Sequence, residues 1–166
     1  MRKYHILIAT TVLLLDRITK AVVAANVPLH DSVTVIPGFF RITHVLNRGA
    51  AFGLFSESPS QYKIGFLIGF SIIALLVVST LLWKHTHQMT STAFALSLIM
   101  GGALGNLWDR LFSGHVVDFL EFYLGNYVWP DFNIADSAIV IGALILMAEI
   151  IFSPKAQTAA EENTGG

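Results

Sequence analysis

The sequence predicts an all-α membrane protein of four transmembrane helices, with a small extracytoplasmic β-hairpin or sheet between the first and second. Three observations carry this reading. The chain is 54% hydrophobic and only 13% charged, with a mean hydropathy of +0.66, whereas soluble domains carry about 25% charged residues. Its apolar residues gather into four stretches, 4–26, 64–83, 91–112 and 134–152, each near the ~20 residues a helix needs to cross hydrocarbon. Two β-branched and aromatic runs, Ser32-Val33-Thr34-Val35-Ile36 and Phe39-Phe40-Arg41-Ile42-Thr43-His44-Val45, flank Pro37-Gly38, the pattern of two strands about a turn.

The first stretch invites a rival reading as a cleavable leader, because Arg2 and Lys3 precede it and Val23-Ala24-Ala25 resembles a cleavage site. Asp16, Arg17 and Lys20 would interrupt such a leader, and three further spans follow, so a retained helix is expected. Asp16 and Lys20 share one helix face, with Arg17 one position round. Their spacing fits a buried ion pair, since unpaired charge in a bilayer is costly, and equally a site that orients a substrate headgroup or backbone.

The polar segment 28–61 holds the hairpin, expected to rest on the membrane surface, where a sheet edge can hold an extended peptide or merely connect two helices. It contains Asn47-Arg48-Gly49-Ala50-Ala51-Phe52-Gly53. Small residues there let a ligand backbone approach, and Asn47 can donate and accept at once; a turn re-entering the membrane is the alternative. In the third stretch, Gly101-Gly102-Ala103-Leu104-Gly105 permits close helix packing. Asn106, Asp109 and Arg110 follow on one face. Arg110 either pairs with Asp109 or forks toward a carbonyl or carboxylate of a ligand, and spacing does not separate the two.

Segment 113–133 reads as an extracytoplasmic loop whose Phe119, Phe122, Tyr123, Tyr127, Trp129 and Phe132 form a headgroup-level belt. Residues 1–153 make one membrane domain, and 154–166 have the composition of a disordered cytoplasmic tail. Arg2, Lys3, Lys84 and Lys155 favour a cytoplasmic side, but Arg41, Arg48 and Lys63 lie opposite, so charge alone orients the chain weakly.

Two aspartates bracket the aromatic segment. Asp118 lies in Val116-Val117-Asp118-Phe119-Leu120, an apolar setting that raises a carboxyl pKa. Asp136 falls with Asn133 in the first turn of the fourth helix, where the dipole favours negative charge. If the two approach, they share one proton, giving a carboxylate base and a carboxylic acid, the arrangement of an aspartic protease. A helix cap for Asp136 and a surface acid for Asp118 are the plain alternatives. Glu121 and Asp131 are expected in solvent, Asp31 and Glu57 in exposed turns, and Glu149 near the inner end of the last helix.

Several chemistries are set aside. Zero cysteines remove thiol catalysis, thiolate metal sites and disulfides. A net charge of -1 offers no basic surface for nucleic acid. The six histidines form no His-Glu-x-x-His pattern, and His85 and His87 fit a cytoplasmic loop. No serine sits in Gly-x-Ser-x-Gly. A small proton-coupled transporter using Asp16, Lys20, Asp109 and Arg110 remains a competitor, as does a scaffold in which every charge is structural. Four helices are few for transport, and repeat symmetry is missing.

Five ordered blocks carry a resemblance: Asp16-Arg17-Ile18-Thr19-Lys20, Asn47-Arg48-Gly49-Ala50-Ala51-Phe52, Gly101 through Arg110, Val117-Asp118-Phe119, and Phe132-Asn133-Ile134-Ala135-Asp136. With them the chain resembles the lipoprotein signal peptidase (signal peptidase II) family of intramembrane aspartyl endopeptidases. The resemblance implies a catalytic dyad of Asp118 and Asp136, with Asp16, Lys20, Asn47, Gly49, Asn106, Arg110 and Asn133 binding substrate or supporting the site. It implies a prolipoprotein substrate whose cysteine carries diacylglycerol, cleaved immediately before that cysteine, with no metal or organic cofactor. It places a multi-pass protein in the bacterial cytoplasmic (inner) membrane among its lipids, as a monomer with both termini cytoplasmic and the site on the periplasmic side. One departure stands out: Gln is expected where Arg17 stands, which leaves the partner of that charge open.

Overall fold

The computed structural model describes residues 2–49, 62–84 and 90–152. The expectations for Ala50, Ala51, Phe52, Gly53, Glu57, His85, His87 and the tail 154–166 fall outside them. Within them run α1 (Arg2–Asn26), β1 (Ser32–Ile36), β2 (Phe40–Asn47), α2 (Tyr62–Lys84), α3 (Ser91–Phe112), β3 (Val116–Leu124), β4 (Tyr127–Phe132) and α4 (Ile134–Phe152). Three of the helices, α2 from Lys63, α3 and α4, are long and apolar enough to cross a membrane by length and composition.

Helix α1 shows how the bundle is put together. Its buried stripe, His5, Ala9, Val12, Asp16, Lys20 and Val23, recurs every three or four residues, while Ile6, Leu7, Leu14, Ile18 and Val22 are exposed. Polar groups inside and apolar groups outside is the arrangement expected where the surroundings are lipid. Helix α3 is the centre, packed against α1, α2 and α4. It begins at Thr90, whose hydroxyl accepts from the Ala93 amide at 3.1 Å and caps the helix.

The glycines of α3 set the helix spacing. A Cβ on Gly101 would lie 2.6 Å from the Ala9 carbonyl oxygen, and one on Gly102 would strike the backbone carbonyl of Ala135 and lie 2.9 Å from Ile139. Gly142 of α4 answers from the other side, its absent Cβ 2.7 Å from the Ala95 carbonyl. These are close backbone approaches that only small residues permit.

The sheet is larger than the sequence suggested. Strands β1 and β2 form the expected hairpin, with Gly38 at φ 72° in its turn, a conformation that favours glycine. The segment read as a loop, 113–133, supplies β3 and β4, which extend the same antiparallel sheet in the order β1-β2-β3-β4. The aromatics of this segment pack across the strands. Phe122 stacks on Phe40 at 4.7 Å and lies 5.5 Å from Phe39 and 5.8 Å from Phe132. Phe119 reaches the other way, into a core with Val23 and Val27 at the end of α1 and Ile134 of α4.

This pairing also buries one acid and half-buries another. Glu121 is buried opposite Arg41, whose guanidinium nitrogens lie 2.5 and 2.6 Å from its carboxylate, and Tyr123 donates to it at 2.8 Å. Asp131 accepts from the Thr43 hydroxyl at 2.5 Å. Their partners come from a distant strand, so local sequence could not reveal them.

Gly102→Ala should lower the thermal midpoint of the protein in detergent, reflecting overpacking of about 1–3 kcal/mol. Gly65→Ala, at a position with open space around the missing Cβ, should be neutral or mildly stabilising in the same measurement.

Candidate active site

The site is built where the foot of the sheet meets the first turn of α4. Asp118 stands on β3 across from Val45 of β2 and is buried. Asn47, the last residue of β2, donates from Nδ2 to Asp118 Oδ2 at 2.9 Å and accepts the Gly49 amide on Oδ1 at 2.7 Å. One side chain therefore holds the carboxylate and turns the chain away from the sheet.

Asn133 holds the other oxygen. Its Nδ2 donates to Asp118 Oδ1 at 2.6 Å, and its Oδ1 accepts the Asp136 amide at 2.9 Å. Asn133 is thus the N-cap of α4, and Asp136 is the third helical residue, its Oδ2 facing the Asn133 amide at 3.4 Å. The sequence alternative that made Asp136 the cap is corrected by one turn. The two residues form a capping box, the reciprocal arrangement that satisfies two of the orphan amides at a helix start.

Behind Asp136 lies a polar chain through the bundle. Asn106 Nδ2 donates to Asp136 Oδ1 at 2.7 Å, and Asn106 Oδ1 accepts from Lys20 Nζ at 3.1 Å. Lys20, only 2% exposed, also donates to Asp16 Oδ2 at 2.8 Å. Asp16 completes the connection by accepting the Ala135 amide on Oδ1 at 3.0 Å, so α1 ties off another orphan amide of α4. Gly105 makes room for this, since a Cβ there would lie 2.6 Å from Asp16 Oδ2.

Arg110 does not pair with Asp109. Its guanidinium donates to the Gly49 carbonyl at 3.3 Å and to the Asn106 carbonyl at 3.4 Å. Asp109 is held instead by Arg17, the residue whose partner was open, and by Lys20, whose Nζ lies 2.7 Å from Oδ2, off the angle of a good hydrogen bond. All nine residues singled out in the sequence therefore join one network. What sequence reasoning missed was the Arg17–Asp109 contact and the amide of Ala135. The first was detectable only as a surplus cation, and the second, being backbone, left no signal.

Burial pushes the Asp118 carboxyl up to about 7, and the negative charge of Asp136 adds to this, while Asn47, Asn133 and Lys20 pull against it. A carboxyl balanced near neutrality beside a second carboxylate can hold the proton that the pair shares. Among the described residues, no group of three histidine or acidic side chains is placed to hold a metal ion.

Two apolar clefts meet at Asp136. One, of about 280 Å³, runs between α2 and the α3–α4 pair past Leu67, Phe70 and Ile139 and ends at Asn106, Arg110 and Asp136. The other, of about 310 Å³, lies between β4 and α4 and is walled by Trp129, Phe132, Val140 and Ile141. Carboxylate chemistry at the meeting point of two lipid-compatible clefts suits an amphiphilic substrate.

The family profile described as signal peptidase (SPase) II matches residues 8–152. The chain belongs to the signal peptidase II family. A lipoprotein signal peptidase of Desulforapulum autotrophicum is 48% identical over 153 residues, covering 89% of this chain and 91% of that one. One from Syntrophus aciditrophicus is 43% identical over 158 residues, covering 93% and 98%. A solved bacterial membrane enzyme, determined by the in meso method at 2.3 Å resolution, superposes with a TM-score of 0.80 at 36% identity, covering 90% of this chain and 88% of its own. Membership in the signal peptidase II family makes this chain an aspartic-type peptidase and a multi-pass bacterial membrane protein.

The raised Asp118 carboxyl gives a direct expectation. Infrared titration of the purified protein should show a carboxylic-acid absorption that fades as pH rises through about 7 and that is missing from Asp118→Asn. A band that is already gone at pH 5 would contradict it.

Proposed function

We propose that this chain removes signal peptides from prolipoproteins whose cysteine carries diacylglycerol, cutting immediately before that cysteine, with Asp118 and Asp136 as the catalytic pair. The observation that carries the assignment is Asn133. Its amide oxygen caps the helix at Asp136 while its amide nitrogen grips Asp118, so a single side chain registers the two acids against each other. A merely structural cap has no need of a second carboxylate.

In this mechanism Asp118, whose carboxyl is raised to about 7 by burial and by the charge of Asp136, holds the shared proton and donates a hydrogen bond to the scissile carbonyl. Asp136 takes a proton from the attacking water. The oxygen of that water adds to the carbonyl carbon, and the proton from Asp118 moves to the carbonyl oxygen, giving a neutral tetrahedral intermediate. Collapse of the intermediate passes the proton on Asp136 to the departing amine, and Asp118 recovers one from the hydroxyl. No metal or organic cofactor takes part. Asn47 and Asn133 hold Asp118, Asn106 holds Asp136, and Arg110 with the Gly49 carbonyl lies where the substrate backbone passes.

The setting follows from the substrate. A signal peptide is an apolar helix, and diacylglycerol keeps its cysteine at headgroup depth. The apolar cleft ending at Arg110 and Asp136 offers the signal helix a route to the dyad. On this reading α1 is the fourth span, with Asp16 and Lys20 buried and its apolar face to lipid. Residues 1–153 act as one monomeric domain in the inner membrane, both termini are cytoplasmic, and the sheet lies on the periplasmic side above the scissile bond.

Asp118→Asn and Asp136→Asn, each shown to be folded by its thermal unfolding in detergent, should cut a diacylated prolipoprotein peptide at rates lower by on the order of 10²–10⁴-fold. Normal cleavage by either variant would sink the mechanism.

A further inference from the structure

The network behind the dyad contains a charge that the mechanism does not use. Counted among the described residues, the groups buried together between α1 and α3 are the carboxylates Asp16 and Asp109 and the single ammonium of Lys20. Two negative charges and one positive would leave that core net negative, directly behind Asn106 and Asp136. An uncompensated buried charge is strongly unfavourable, and its field reaches any neighbouring titratable group. Arg17 closes the balance. It reaches Asp109 Oδ1 from the bundle surface, its side chain 36% exposed against 4% for Asp109, with its guanidinium 5.9 Å from the Trp108 ring.

We infer that Arg17 is a positioning residue for catalysis: by sharing Asp109 with Lys20 it balances the charge of the core behind Asn106 and Asp136, and so fixes the pH range over which the aspartate pair shares one proton. The inference rests on the dyad reading above. The charged groups around the pair are Asp16, Arg17 and Lys20 from α1, Asp109 and Arg110 from α3, Asp118 from β3 and Asp136 from α4. Among the described residues, Lys20 is the only cation that touches both Asp109 and the side chain of the Asn106 that holds Asp136. Without Arg17, Lys20, already 2.7 Å from Asp109 Oδ2, must offset both Asp109 and Asp16, and one unit of negative charge is added behind the dyad. Added negative charge favours protonated carboxyls. Both limbs of the rate–pH profile therefore move to higher pH, whereas simple loss of structure lowers activity equally at every pH.

The test compares kcat/KM against pH for the full chain in detergent, as wild type, R17Q, R17K and R17Q/D109N, on a diacylated prolipoprotein peptide. R17Q should shift the profile alkaline by about half a unit or more, on the order of a threefold loss on the acid limb. R17K should restore the profile, and R17Q/D109N should return it, because the second change removes the uncompensated charge. A R17Q profile that superimposes on wild type, or that falls by one factor throughout, would overturn the inference. Infrared titration of the same proteins needs no substrate: the Asp118 band should persist to higher pH in R17Q and fade earlier in D109N. An unmoved band overturns the inference even if the peptide is not cleaved, an outcome that counts separately against the proposed function. Should R17Q fail to fold, D109N with Arg17 intact reads the same coupling with the opposite sign.

Discussion

A single ammonium group organises this protein. Lys20 is enclosed between α1 and α3, where it donates to Asp16 and Asn106 and lies in ion-pair contact with Asp109. A cation so placed is tolerable only with its anions in position, and the anions only with the cation. That mutual requirement fixes the rotation of α1 against α3, and through Asp16 and the Ala135 amide it fixes the start of α4. The glycines that thin α3 serve the same end, since Asp16 could not stand where it does against a side chain at position 105.

The second constraint is the start of α4. Helices leave their first amides unsatisfied, and here the groups that satisfy them are the site itself. Asn133, Asp136 and Asp16 each occupy an amide at this turn or present a side chain to it. The geometry of the acids is therefore set by the folding of the helix and not by arrival of a ligand. Preorganisation of this kind keeps reorganisation out of the reaction step.

Much of this was legible in the sequence. Helix existence followed from apolar length, and the first hairpin from β-branched runs around Pro37-Gly38. The Asp16–Lys20 pair followed from four-residue spacing and the cost of charge in lipid. Other features were not legible for a physical reason: they depend on pairing between distant segments. Strands β3 and β4 alternate weakly because aromatics occupy both faces, so their sequence reads as an interfacial loop, and it is pairing with β2 that makes them strands. Glu121 and Asp131 looked solvent-borne because Arg41 and Thr43 lie some eighty residues away. Spacing left Asp109 between Arg110 and other partners, and only the packing of α1 on α3 selected Arg17 and Lys20.

Helix α2 stands apart from all of this. It packs principally on α3 and forms one wall of the cleft leading to Asp136, yet no hydrogen bond described at either aspartate comes from it. This wall is thus distinct from the frame of hydrogen bonds that holds the two acids. Tilting that wall to fit a thicker or thinner helix breaks none of the bonds that align the pair. On the proposed function, tolerance toward the apolar helix and alignment at the cut would then fall to different parts of one small bundle.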